Sequence, residues 1–396
     1  MKSVMETYKR LNIAPESGKG SWLFDGEGNR YLDFIGGIAT NSLGHGHPAL
    51  VEAIQEQAAK LIHCSNLYEI PIQAEVAKML TDATDFSRVF FCNSGAESVE
   101  AAIKLSRKHS YNEHGPHKHE ILTFSKSFHG RTYGGLTATA QPALQEGFGP
   151  MPAGFVHAPF GDLEAARELT GPQTAAILVE PIQGEGGINV APEGFLEGLR
   201  ELCDEHDALL IFDEVQTGAG RTGHLYAYQG TGVVPDVLTS AKGLGGGFPV
   251  GAMLAKEEFA ALVPGTHGST FGGNPLAMAA VRAVLGVVND ESFLEEIRFK
   301  GKILKNGLET LAERVPGAEV RGEGLLLGLD IGPDLAPELF QHCLDDGLLV
   351  NVVGGTTVRL APPLTVTRTE VRAALDTFRG AVDTLMTVQQ PEFAVA

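Results

Sequence analysis

Leu209-Leu210-Ile211-Phe212-Asp213-Glu214-Val215-Gln216 sets the architecture of this 396-residue chain. Four apolar residues in a row, with no polar alternation, mark a strand buried on both faces, as in parallel sheets covered by helices. The run ends in two carboxylates, and side chains at the carboxyl end of such a strand enter the crevice where α/β proteins bind ligands. Working outward, short apolar runs at 89–91, 121–124, 175–179 and 237–240 alternate with helical spacing over 97–109 and 194–205. That rhythm predicts an α/β fold with a largely parallel sheet. On the N-terminal side, residues 21–34 alternate around the turn-forming Asp25-Gly26-Glu27-Gly28-Asn29, which reads as a hairpin, and 48–59 has helical spacing. On the C-terminal side, an amphipathic helix over 294–314, strand-like runs at 324–330 and 358–360, and a last helix from Thr369 predict a smaller α+β lobe. The expected division is 1–50 and 291–396 in the small domain and 51–290 in the large one, with the tail from Gln389 frayed.

A chain of this length exceeds what one core usually organises. Thirty basic against 49 acidic residues give a net charge of −19, which disfavours nucleic acid and anionic lipid as partners. Cys64, Cys92, Cys203 and Cys343 stand apart with no CxxC spacing, so neither a disulfide framework nor a zinc site is expected and a cytoplasmic location fits. The opening MKSVMETYKR is charged where a signal peptide is apolar, and the most apolar stretch, 275–288, is interrupted by Arg282. No targeting or membrane segment is expected. The histidine-dense 109–119 lacks a convincing ligand geometry and reads as a solvated loop with no metal.

Three segments can carry chemistry. Asn93-Ser94-Gly95-Ala96-Glu97 opens a helix with a Ser-x-x-Glu box, and a helix start with glycine is a natural anion cradle. Taken alone it reads more readily as an ordinary capped helix. A carboxylate at Asp213 can hold a pyridinium nitrogen protonated, turning a ring into an electron sink; alternatively it caps a turn or binds a cation. Thr239-Ser240-Ala241-Lys242-Gly243-Leu244-Gly245-Gly246-Gly247 sets one lysine between an apolar strand and a glycine-rich loop, where a partly desolvated amine can lose its proton and act as a nucleophile; taken alone it reads more readily as a surface lysine beside a flexible loop.

In that order and spacing the three segments resemble the class III, ornithine-type aminotransferases of the fold-type-I pyridoxal phosphate enzymes, most closely the acetylornithine aminotransferases. The marks are YLDFIGGIATNSLGHGHP (31–48), FCNSGAESVEAAIKLSR (91–107), SFHGRT (127–132), VEPIQGEGG (179–187), FDEVQTGAGRTG (212–223), SAKGLGGGFPVGA (240–252), HGSTFGGNPLA (267–277) and RLAPPL (359–364). The resemblance implies a seven-stranded, mostly parallel sheet in the large domain, pyridoxal 5'-phosphate as cofactor, and a homodimer with shared active sites. Lys242 would join the cofactor covalently and shuttle a proton, with Asp213 on the ring nitrogen and Glu180 supporting Asp213. Val215 and Phe128 would flank the ring, Gln216 would reach its phenolic oxygen, and Ser94, Gly95 and Ala96 would bind the phosphate. Ser269 and Thr270 would reach the phosphate of the neighbouring subunit.

An aminotransferase binds two different substrates in one site. The resemblance assigns the α-carboxylate of glutamate or 2-oxoglutarate to Arg359, a gate to Glu185, the donor's distal carboxylate to Arg131, and the site entrance to Asn41 and Ser42. The implied reaction moves the terminal amino group of N-acetylornithine to 2-oxoglutarate. Lysine-pathway N-blocked aminoadipate semialdehyde, ornithine, succinylornithine and 4-aminobutyrate are the alternative substrates. An aminomutase or racemase would need no Glu185–Arg359 switch, and a non-catalytic relative would lack Lys242 or Asp213. The segment TYKRLNIAPESGKG (7–20) departs from the family pattern, so no role passes to Tyr8.

Overall fold

The computed structural model describes residues 3–388; the tail from Gln389, expected to fray, lies outside them. Seven strands form the main sheet, in the spatial order Arg88–Cys92, Gly251–Ala255, Val237–Ser240, Leu209–Asp213, Thr174–Val179, Glu120–Phe124 and Phe155–Ala158. Every neighbouring pair is parallel except those made by Gly251–Ala255, which runs antiparallel to Arg88–Cys92 and to Val237–Ser240. The mostly parallel, seven-stranded sheet is thus present.

Successive residues of its central strands point to opposite faces. Leu209, Ile211, Leu178, Val237 and Met253 pack on one side with Val99, Ala102, Ile103 and Leu105 of the helix Gly95–His114. Leu210, Phe212, Ile177, Val179, Leu238 and Leu254 belong to the opposite apolar layer. Burial on both sides is why these strands read as unbroken apolar runs. Packing Gly95–His114 along the sheet carries its N-terminus to the strand ends that bear Glu180 and Asp213.

The hairpin Trp22–Asp25 with Arg30–Asp33 forms as expected, because Asp25 Oδ1 accepts from the amides of Glu27 (3.0 Å) and Asn29 (2.8 Å) and closes the turn. It does not join the main sheet. Arg30–Asp33 pairs in parallel with Leu348–Leu349, and Trp22 Nε1 donates to Glu370 Oε1 at 2.8 Å, so the beginning and end of the chain share one smaller lobe. Glu370 also belongs to a reciprocal capping box: its carboxylate accepts from the Thr367 amide (2.7 Å), while Thr367 Oγ1 accepts from the Glu370 amide (3.1 Å). The box starts the helix Arg368–Val388, one residue before the expected position. A four-stranded antiparallel sheet, in the order Glu319–Glu323, Leu326–Asp330, Thr357–Leu360 and Asn351–Val353, completes the lobe.

One expectation changes. Residues 109–114 are not loop: the helix runs to His114, with His109 stacked edge-on against Phe259 at 5.2 Å between ring centroids. Among the described residues no group of His, Cys, Asp or Glu is arranged to hold a metal ion, and no helix is long and apolar enough to cross a membrane.

Candidate active site

A cleft of about 400 Å³ opens at the carboxyl ends of the parallel strands. Ser94, Gly95, Ala96, Phe128, Arg131, Glu180, Glu185, Asp213, Val215, Gln216 and Lys242 all line it. At the helix start, Ser94 Oγ accepts from the Glu97 amide at 3.2 Å, and the Glu97 carboxylate reaches back to the amide of Asn93 at 2.8 Å, one residue before the usual partner. The first-turn amides of Gly95 and Ala96 have no intrahelical acceptor, and both residues line the cleft. A Cβ on Gly95 would stand 2.7 Å from Val215 Cγ1, so only glycine lets the helix start approach the strand end this closely.

The two carboxylates after Leu209–Phe212 part company. Asp213 enters the cleft and is held from three sides: His129 Nδ1 lies 2.8 Å from Oδ2, while Oδ1 accepts from Thr239 Oγ1 (3.0 Å) and from the Val215 amide (3.1 Å). Glu214 turns away and accepts from the amides of Ala227 (2.5 Å) and Tyr228 (2.9 Å) and from Thr217 Oγ1 (3.1 Å). Burial pushes its carboxyl up to about 7, and these bonds oppose the rise. Glu180, whose Oε2 accepts from the Phe128 amide at 3.0 Å, is raised well above the carboxylate range by burial and then by the charge of Asp213.

Lys242 follows Val237–Ser240 with a left-handed backbone (φ 43°), a conformation that a non-glycine residue adopts only where its surroundings enforce it. Burial lowers its ammonium from the ordinary lysine value, against the pull of Glu185. Glu185 Oε1 lies 3.9 Å from Lys242 Nζ, 2.7 Å from Arg359 Nη1 and 3.0 Å from Gln216 Nε2. Burial alone would raise this carboxyl, but Arg359 and then Lys242 hold it down at about 2. Arg359 is 1% exposed; its Nη1 also donates to Gln216 Oε1 (3.0 Å) and its Nε to Asn351 Oδ1 (3.2 Å), while Nη2 has no partner among the described residues. Arg131 stands at the exposed side of the cleft, its guanidinium 5.4 Å from the Phe128 ring centroid.

Some expected residues lie elsewhere. Ser42 is buried and its hydroxyl donates to the Gly243 carbonyl at 2.7 Å, and neither it nor Asn41 lines the cleft. The cause is a left-handed turn, Gly36 to Ala39 with φ from 56° to 65°, which presents Thr40 to the cleft instead. Ser269 and Thr270 border a separate cavity of about 360 Å³ together with Phe90, Cys92 and Asn93. Asn93 lies between the two, lining both and donating to Ser269 Oγ at 3.1 Å. His129, Thr239 and Thr40 are the residues missed. His129 sits inside SFHGRT, directly after Phe128, and its position beside a residue already assigned to the cleft was the available signal.

Residues 4–382 match the family Aminotransferase class-III. The chain belongs to that family. The class III enzyme is 51% identical to an acetylornithine aminotransferase of Caldanaerobacter subterraneus subsp. tengcongensis, over 94% of this chain and 95% of that one. Among solved structures, the ornithine aminotransferase of Toxoplasma gondii superposes with a TM-score of 0.94 at 33% identity, covering 98% of this chain and 94% of its own. The N-acetylornithine aminotransferase of Stenotrophomonas maltophilia gives 0.84 at 38% identity, covering 96% and 98%.

Class III aminotransferases use pyridoxal 5'-phosphate, and the cleft of this class III enzyme fits that group. It offers free helix-start amides for a phosphate, a buried carboxylate for a ring N–H, a desolvated amine for an aldehyde, and the side chains of Val215 and Phe128 as walls. The loop before Glu185 is equally constrained: a Cβ on Gly184 would stand 2.2 Å from Gln216 Oε1, which its bonds to Glu185 and Arg359 prevent from yielding freely. Gly184→Ala is therefore expected to cost about 1–3 kcal/mol of stability. Denaturant melts against Gly171→Ala, whose Cβ would meet nothing within 4 Å, measure the difference; equal midpoints would remove the steric argument.

Proposed function

We propose that the chain transfers the terminal amino group of N-acetylornithine to 2-oxoglutarate, giving N-acetylglutamate 5-semialdehyde and glutamate, a step of arginine biosynthesis. The observation that carries the dual-substrate part is the pair of half-buried Glu185 with buried Arg359 at the edge of the cleft, with Lys242 Nζ 3.9 Å from the same carboxylate oxygen. The names of the relatives support the choice of donor.

When bound, pyridoxal phosphate supplies an electron-withdrawing ring. The protein does the rest. Gly95 and Ala96 would hold its phosphate, and Asp213, fixed by His129 and Thr239, would keep a proton on its ring nitrogen. Lys242 Nζ, partly desolvated, takes and returns the proton at the reacting carbon. With N-acetylornithine in the site, Glu185 stays on Arg359 and neutralises it, so the donor's carboxylate goes to Arg131. With glutamate or 2-oxoglutarate, Glu185 leaves, and the free Nη2 of Arg359 and its neighbour Nη1 clamp the α-carboxylate in a two-pronged contact.

The same reading includes a homodimer. Leu67, Tyr68 and Phe271 are 88%, 69% and 60% exposed beside the exposed Thr270, an apolar surface that a second copy would cover. Asn66 Nδ2 ties this surface together by donating to the carbonyls of Ser269 (3.2 Å) and Gly272 (2.8 Å). Ser269 and Thr270 would then serve the phosphate site of the partner. Domain boundaries near residues 50 and 290 belong to the proposal, supported by the pairing of Arg30–Asp33 with Leu348–Leu349. The four free cysteines support a reducing, cytoplasmic setting.

A panel of kcat/KM values for N-acetylornithine, ornithine, succinylornithine and 4-aminobutyrate tests the donor. N-Acetylornithine is expected to lead. A large preference for 4-aminobutyrate would exclude this reading.

A further inference from the structure

Arg221 is only 2% exposed, and among the described residues no carboxylate lies within ion-pair distance of it. Its Nη1 donates to two carbonyl oxygens, of Leu325 (3.1 Å) and Pro362 (2.5 Å), and its Nη2 has no partner among the described residues. Burial and then the like charge of Arg359 lower the guanidinium to about 9, which leaves it charged at neutral pH. A buried cation with no countercharge is expensive, and placing it near a second buried guanidinium adds to the cost. An apolar side chain of similar volume would remove the cost of the buried charge but leave the Leu325 and Pro362 carbonyls without this donor, so Arg221 combines a structural bond with a charge that the bond itself does not require.

The bond to the Pro362 carbonyl ties Arg221 to the segment that follows Arg359. Pro362 lies three residues after Arg359, just beyond the end of the strand Thr357–Leu360. Buried Lys300 donates to the carbonyl of Leu364 at 2.7 Å, so cations hold the backbone at both ends of Pro362-Pro363-Leu364. Among the described residues Glu185 is the one carboxylate in ion-pair contact with Arg359, and Arg221 is close enough for the two guanidiniums to repel.

We propose that Arg221 is a positioning and specificity-determining residue for the dicarboxylate half of the reaction. Its unpaired charge draws the α-carboxylate of glutamate or 2-oxoglutarate toward Arg359, and its bond to Pro362 fixes the strand end from which Arg359 extends. The inference rests on the substrate reading above. In the donor half, Glu185 remains on Arg359 and the substrate carboxylate lies at Arg131, so Arg221 has little to act on. In the dicarboxylate half, a substrate carboxylate replaces Glu185 at Arg359, within the field of Arg221. Removing Arg221 also loosens Glu185, which offsets part of the loss and keeps the expected effect modest.

The test follows each half-reaction separately, by the absorbance of the bound cofactor in the loaded enzyme mixed with glutamate or with N-acetylornithine. Arg221→Gln keeps a donor for the Pro362 carbonyl and removes the charge; Arg221→Met is a second neutral variant, of similar length and with no side-chain donor, should the first not fold. Either is expected to raise the Kd for glutamate about fivefold, with that for N-acetylornithine within about twofold. Arg221→Lys, which restores the charge, should bring both to within about twofold of the parent. Equal losses for the two substrates, no loss for either, or a lysine variant as weak for glutamate as the neutral ones would overturn the inference. A parent enzyme that fails to react with N-acetylornithine at all would instead overturn the substrate reading.

Discussion

Lys242→Ala is expected to reduce turnover by at least about 10⁴-fold, because one substitution removes both the attachment point of the cofactor and the base that moves the proton. The visible absorbance of the bound cofactor should change at the same time, while the far-UV circular dichroism should not. Lys242 makes one long contact, 3.9 Å to Glu185, and caps no helix, so the fold does not lean on its side chain. Its loss leaves the cleft more negative, with Asp213 and Glu185 no longer balanced by the amine. Residual rates within about tenfold of the parent in single-turnover mixing with glutamate would show that another group carries the proton.

Asp213→Ala is the second large effect. Alanine leaves His129 Nδ1 unpaired in the interior, where Nε2 already has no partner among the described residues, and an unsatisfied buried polar group costs about 1–3 kcal/mol. The chemical loss should be larger. Without a carboxylate the ring nitrogen loses its proton, and a decrease in kcat of about 10²–10³ is expected by analogy with removing one preorganised electrostatic group. Asp213→Asn separates the two contributions, since an amide keeps the shape but not the charge. Its stability should return toward that of the parent while kcat stays low. If Asp213→Asn works at near-normal rates, the charge at this position does not matter.

The positions of Asp213, Glu180 and Lys242 could be read from the sequence because a parallel strand buried on both faces announces itself, and whatever follows its last apolar residue must enter the crevice. Gly251–Ala255 was harder. Gly-Ala-Met-Leu-Ala has little β preference, and nothing local says that a strand at this place runs against its neighbours. The helix Pro71–Asp82 has proline at its start, but Ile70 before it supplies no side-chain cap, so only half of the usual start signal is present. His129 escaped because its role depends on reaching Asp213, a partner 84 residues away. Asn41 and Ser42 fall outside the residues that line the cleft because four successive left-handed residues rotate the chain by an amount that no local pattern encodes, and two of them, Ile38 and Ala39, are not glycine.

The pairing of Arg30–Asp33 with Leu348–Leu349 also bears on biosynthesis. Leu32 leaves the ribosome long before its partner Leu348 has been translated, and at 5–20 residues per second the wait is roughly 15–60 s. For that time the first hairpin has a single-sided, half-built neighbourhood, and Trp22 lacks Glu370. The main sheet, ending at Ala255, can assemble in the meantime. A nascent chain should therefore acquire the cofactor cradle well before Arg359 exists to judge what enters it, and ribosome-stalled chains ending near residue 300 should be sensitive to proteolysis at their N-terminal segment alone.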